Sequence, residues 1–325
     1  MDTKPITEQI TGLTTSEQGE LISLVLNEWK KWYHHQRRDA WRTFFNVYNQ
    51  KYSIPLRQQE SWIQGIRVFM PTVRMLVNSM EPTMTNFLLP NDEYLEIDQD
   101  EILEDFYTKV LLVNNELTDF KTTTQRNVMQ ACITGDTNNI IQQKGPYFES
   151  RCISNADLVV TPLQQDISKS TKILRYFKTP YDLEMDKTEA GVQYFAYDDL
   201  EDYGFQKQFE RRLSAGNKNP HDRGEDAQLG EGFPIYEAHI YHHKLESKKR
   251  ITNTIVSVID SPSRIIRFEP ESNINRIKHT TWSVQADPNI YYGTGIVEPT
   301  VPLVNYSNSL MTAELVGLML DAMSG

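Results

Sequence analysis

The chain has 325 residues, of which 39% are hydrophobic and 24% charged, and a net charge of −11, enough for one large domain or two smaller ones. So acidic a chain does not condense on DNA by neutralising phosphates, and any contact with nucleic acid is confined to local basic patches. Two cysteines without CxxC spacing, Cys132 and Cys152, argue against a disulfide framework or a Cys-based zinc site, and the lack of an 18-residue apolar run or a basic-then-apolar start argues against a membrane span or a secretory signal.

Residues 1–19 are polar and read as a flexible arm, with Ser16 a possible helix cap. Residues 20–50 are helical by period: Leu21, Val25, Trp29, Trp32, Trp41, Phe44 and Tyr48 recur on one face, with Lys30, Lys31, Arg37, Arg38 and Arg42 filling the other. Adjacent His34 and His35 point about 100° apart on a helix and cannot share a metal. A second helix runs over 61–87, with Pro71 and Pro82 expected to kink or break it, and closes at Leu89-Pro90. Residues 91–105 carry eight acids (Asp92, Glu93, Glu96, Asp98, Asp100, Glu101, Glu104 and Asp105) and no base. Their spacing does not match a calcium loop, and acids suit the start of a helix. Helices follow over 101–120 and 123–133, with Gly135 as the stop.

From residue 136 the pattern changes to strands and turns. Residues 138–142, 158–163 and 173–177 read as strands, with a turn at Gly145-Pro146. Asp182 and Asp186 follow Pro180 in a turn or capping setting. A strand over 192–197, a helix from Asp198 or Asp199, and a Gly-rich loop over 214–232 come next. A β-meander then alternates: Ile235, Glu237, His239 and Tyr241 on one side, Tyr236, Ala238, Ile240 and His242 on the other, with further strands over 250–259 and 264–268. The turn between its first strands is basic (Lys244, Lys248, Lys249 and Arg250), which fits a solvated hairpin end or a patch touching DNA or a partner. His239 and His243, four apart on a strand, lie about 13 Å from each other and cannot share a metal.

The chain ends on the stretch 291–325. Tyr292-Gly293-x-Gly295-x-x-Glu298 makes a turn, Pro299 and Pro302 suit irregular or first-turn backbone, and a helix is expected from Leu303. Its apolar stripe is Leu303, Tyr306, Leu310, Ala313, Gly317 and Leu320. At 1.5 Å per residue it is roughly 33 Å long. It holds no Lys or Arg, and its charges are Glu314 and Asp321.

The order of these segments resembles the portal proteins of short-tailed phages, the ring-shaped head–tail connectors. The resemblance is carried by several features in sequence. They are the Trp- and Arg-rich first helix, the Leu89-Pro90 corner before Tyr94-Leu95-Glu96-Ile97, and the helix ending in Gly135 before a strand. Pro180-x-Asp182 with Asp186 comes next, then the meander, then Tyr292-Gly293-x-Gly295-x-x-Glu298 with Asn308 further on and a long helix. It covers about residues 20–325 and implies an α+β fold. That fold is a helix-rich wing over 20–290 (helices over 20–135, a mixed α/β layer with the meander over 136–290), followed by the start of the stem and first stem helix over 291–325. It further implies a homo-oligomeric ring of about twelve copies at the portal vertex of the virion capsid, assembled in the host cytoplasm. Double-stranded DNA passes through such a ring during packaging and ejection. The terminase large subunit, the tail adaptor protein and the major capsid protein are its partners, and no membrane, metal or cofactor is implied. Glu314 and Asp321 would then line the DNA channel. In portals a clip, a second stem helix and a crown follow the first stem helix, whereas this sequence stops at Gly325, as half of a split portal or a partial chain would. Two other readings are a metal-dependent hydrolase or nuclease, using carboxylates in 92–105 and 182–202 with His239 or His243, and a non-portal adaptor or scaffolding protein. No phosphate-binding Gly loop, HExxH or nucleophile elbow is present.

Overall fold

A computed structural model describes residues 10, 12–33, 36–49, 71–90, 101–144, 146–161, 169–186, 195–196, 233–260, 263–272, 274–281 and 292–324. The fold is α+β with antiparallel sheets. Its contacts divide the chain into two compact units, neither continuous in sequence: Met1–His34 with Ala156–Ile277, and His35–Asn155 with Lys278–Gly325.

The first unit is built on a five-stranded sheet of β3 (Leu158–Val160), β4 (Lys172–Lys178), β5 (Phe233–Lys244), β6 (Arg250–Asp260) and β7 (Ser263–Glu269), in that spatial order. Alternation along a strand sends successive side chains to opposite faces, and here both faces are covered. On one, helix α1 (Thr15–Tyr33) lays Leu21, Val25, Leu26 and Trp29 against Ile173, Ala238, Ile240, Val256 and Val258. On the other, Leu183 of the short helix α6 (Pro180–Met185) and Phe195 pack with Phe233, Ile235 and Ile259.

Helix α1 starts earlier than the arm expected over 1–19 allows. Ile10 and Leu13 are buried in the core, and Thr14 rather than Ser16 caps the helix. The Thr14 N–H donates to Glu17 Oε2 at 3.0 Å and the Glu17 N–H to Thr14 Oγ1 at 3.3 Å, a reciprocal capping box. The helix expected over 20–50 is two, α1 and α2 (Gln36–Tyr48).

The second unit gathers α2, α3 (Thr72–Leu88), α4 (Glu101–Leu117), α5 (Phe120–Thr134) and α7 (Val297–Ser324) with a sheet in the order β2 (Tyr147–Ile153), β1 (Asp136–Lys144), β8 (Ile277–Thr281). Its core holds Trp41, Phe44, Tyr48, Val77, Val128, Ile133, Val297 and Val304. Pro71 stands just before α3, but Pro82 does not divide it. Asn78, whose carbonyl loses its donor to Pro82, is an exposed residue. Past the expected boundary at residue 290, Ile296, Val297 and Val304 belong to the core of these helices.

Burying both faces of the first sheet forces polar groups inward. Glu237, His239 and Arg267 are all buried. Glu237 accepts from His239 Nε2 at 2.8 Å, from the Tyr176 hydroxyl at 3.2 Å and from Arg267 Nη1 at 3.4 Å. Burial alone would raise its carboxyl, but the His239 hydrogen bond, the charges of His239 and Arg267 and the Tyr176 hydroxyl outweigh it and hold Glu237 down to about 2. A carboxylate depressed in the fold contributes stability above its unfolded value, and that contribution is lost as pH falls through the folded one. The first unit should therefore lose stability between about pH 4.5 and 2. Glu237→Gln should flatten that loss, read as the thermal midpoint against pH; an unchanged slope in the variant would exclude Glu237 as its source.

Candidate functional site

The residues singled out at the end of the chain meet at a joint in the second unit. Helix α5 ends on Gly135, in the left-handed conformation at φ 84°, with its N–H on the Ala131 carbonyl at 2.8 Å. Residues 293–296 run against this last turn. A Cβ on Gly135 would lie 2.6 Å from the Gly293 carbonyl oxygen, and one on Gly295 would lie 2.6 Å from the Ile133 carbonyl oxygen. Glycine is required at both because two backbones touch there. The approach is sealed by two hydrogen bonds: the Gly293 N–H donates to Asp136 Oδ1 at 2.7 Å, and the Ile296 N–H to the Cys132 carbonyl at 2.8 Å. The Tyr292 ring meets Trp41 edge-on at 5.4 Å and His279 at 6.0 Å.

Beneath the joint lies a buried polar network. Asn155 accepts from Gln130 Nε2 at 2.8 Å and from Asn138, and donates through Nδ2 to Thr134 Oγ1 at 2.6 Å. Asn138 Oδ1 accepts from His279 Nδ1 at 2.6 Å, and Gln130 also donates to the Ile153 carbonyl at 2.9 Å. Buried polar groups persist where each finds a partner. This network ties α5, β1, β8 and the end of β2 to one another under the glycines. Asp136, Asn138, Asn155, Gln130 and His279 were not singled out from sequence; the one signal was a Thr-Gly-Asp run where a helix gives way to a strand.

Glu298 sits in the first turn of α7, half-buried, where the helix dipole favours an acid. The helix starts at Val297, six residues ahead of the expected Leu303, so Pro299 lies in its first turn and Pro302 inside it. The buried seam is Val297, Val304, Asn308 and Thr312, with Val301 half-buried. The expected apolar stripe lies on another face: Leu303, Tyr306, Leu310 and Leu320 are exposed. The period was right and the phase was not. At about 100° per residue, Glu314 and Asp321 fall opposite the seam, and both are exposed. Beyond Thr312, no described residue of α7 is fully buried.

The basic turn 244–250 is a docked hairpin end in the first unit. Lys248 takes φ 66° and the Leu245 N–H reaches the Lys249 carbonyl at 2.9 Å. Acids from α1 meet it: Glu17 Oε1 accepts from the Ser247 hydroxyl at 2.8 Å, Lys249 lies 4.0 Å from Glu17 Oε2, and Glu20 accepts the Glu246 N–H at 3.0 Å. Lys244, Lys248 and Arg250 are exposed. The Thr14 N–H, then the Ser247 hydroxyl, hold the Glu17 carboxyl below its ordinary range against a smaller effect of burial.

The groups offered for hydrolysis have local partners. Asp182 closes a capping box with Thr179, taking its N–H at 3.0 Å and hydroxyl at 2.8 Å, and these bonds lower its carboxyl. Asp186 pairs with Lys178 at 2.7 Å. His239 meets the Ile274 carbonyl through Nδ1 at 3.2 Å and Glu237 through Nε2, and His243 meets Glu20 at 3.5 Å. Residues 91–100, 187–194 and 197–202 lie outside the described residues, and the side chains of 101–104 with them. Among the described residues no three His, Cys, Asp or Glu side chains converge to hold a metal ion. No protein-family model matches the chain, and no curated protein matches it.

The joint makes a contrast among glycines that can be measured. Gly135→Ala and Gly295→Ala should each cost at least about 2 kcal/mol, because a Cβ has no room between the backbones. Gly317→Ala, in open space on α7, should instead stabilise by about 0.5–1 kcal/mol. Denaturation midpoints of the three variants decide it, and a mild Gly295→Ala would refute the close approach.

Proposed function

We propose that this chain is a subunit of a phage portal, a ring at one capsid vertex through which double-stranded DNA is packed and ejected. The observation that carries the reading is α7. It is 28 residues long, about 42 Å, held at its start by the glycine joint, and largely exposed over the described residues beyond Thr312. A helix that is apolar, exposed and anchored at one end suits a stem that completes its packing against copies of itself. The order of elements before it supports the same reading, from the helices through the meander to Tyr292-Gly293-x-Gly295.

In this reading the subunits close a heterologous ring of about twelve, each using a different face on either side. Glu314 and Asp321, opposite the anchored seam, present carboxylates toward the channel. Repeated around a ring without a basic residue on the helix, they repel phosphate, so DNA passes without being gripped. The terminase large subunit, the tail adaptor and the major capsid protein are the partners such a ring engages, and the capsid vertex is its place.

End-on class averages of the purified protein by negative-stain electron microscopy test this, with and without the product of the gene downstream. Rings of about twelve with a central hole are expected, and rings only in the co-expressed sample would make the chain half of a split portal. Compact monomers or dimers in both preparations would overturn the reading.

A further inference from the structure

Among the described residues, every large apolar side chain that stands exposed lies in the second unit, save Tyr181, Met185 and Tyr241. Part of that surface is the outer face of α7. The rest centres on α4, where Phe106, Val110, Val113 and Leu117 recur at helical spacing with Tyr107 alongside, and all five are exposed. Phe106 is 61% and Leu117 60% exposed. The helix is not loosely placed: Asn114 Nδ2 donates to the Phe148 carbonyl at 3.1 Å, and the Phe148 N–H donates to Asn114 Oδ1 at 2.9 Å. One side-chain amide thus mimics a strand partner at the edge of β2, fixing the helix and setting Phe148, itself 59% exposed, beside it.

We infer that this α4 face is a contact between copies of the chain, seated against a different face of the next subunit; the inference rests on the ring reading above and names a surface that carries it. Its six side chains leave on the order of 600 Å² accessible, at the upper end of what a monomer leaves in one patch. A standard interface takes ~800 Å² from each partner, roughly 60% of it apolar, so the stripe supplies the whole apolar share of one side. Charge disfavours α4 meeting the α4 of another copy face to face and leaves a different face of the next subunit. Helix α4 carries four acids against one base, Lys109, which is already paired with Asp105 at 2.7 Å. The same unit offers a face without excess charge on α3, which exposes Arg74 and Met75 at one end and Phe87 and Leu88 at the other, its one base matched by one acid, Glu81. Two unlike faces on one unit are what a closed heterologous ring requires.

The test uses the full chain and mass photometry over a concentration series. Val110→Glu combined with Leu117→Glu should weaken self-association at least about tenfold. Tyr241→Ser, on the first unit, should leave it unchanged, with thermal midpoints reporting that each variant folds. Should the double variant not fold, hydrogen exchange of the unaltered chain replaces it: amides of 101–117 should slow between dilute and assembled samples. Wild-type rings with equal assembly of the double variant, or with no slowing in 101–117, would overturn this surface and leave the ring reading intact. A wild-type chain monomeric at every concentration, both alone and with the product of the gene downstream, would overturn both and assign the stripe to a different polypeptide.

Discussion

The close passage of two backbones at Gly135, Gly293 and Gly295 is the constraint on which the second unit depends. Side chains would hold the strands of chain apart there; their absence lets the Gly293 and Ile296 amides reach Asp136 and the Cys132 carbonyl. With those bonds made, α7 leaves the joint in one direction, and Val297, Val304, Asn308 and Thr312 follow it into contact with the unit. The Gln130–Asn155–Asn138–His279 network below is closed to solvent. Each member satisfies another, which holds the end of α5 and strand β1 in place to receive the glycines.

The first unit solves a different problem. A five-stranded sheet with both faces covered needs little help from charge, yet it keeps Glu237, His239 and Arg267 inside. Both ring nitrogens of His239 face acceptors, the Ile274 carbonyl and Glu237, so the histidine bridges β5 to the turn at 274–276. One of the two histidines offered for hydrolysis thus has partners within the fold on both ring nitrogens. The acids at 17, 20, 182 and 186 act likewise, as caps and hairpin fasteners.

Much of the fold was legible because it obeys local rules. The strands at 138–142 and 173–177, the meander from 235, the turn at 246–249 and the stop at Gly135 all follow from alternation, turn residues and a left-handed cap. Phase was harder to read than period. In α7 apolar residues surround most of the helix, so a stripe through Leu303 and Leu310 reads as well as the true seam, which includes Asn308 and Thr312. The Tyr292–Glu298 motif was visible as a turn, but its partner Asp136 is 157 residues away, and no periodicity reports a contact of that range. Thr14 outranked Ser16 as a cap because Glu17 stands three residues after it, a pairing that a search for single capping residues passes over.

These observations make α7 a helix of two halves, the first fastened by the joint and the seam, the second largely exposed. Residue-level amide hydrogen exchange along 292–322, under conditions where the chain does not assemble, tests this directly. Slow exchange at Gly293 and Ile296, continuing to about Thr312 and then rising steeply, is the expected profile. Fast exchange at Gly293 and Ile296, or even protection along the whole helix, would contradict the account.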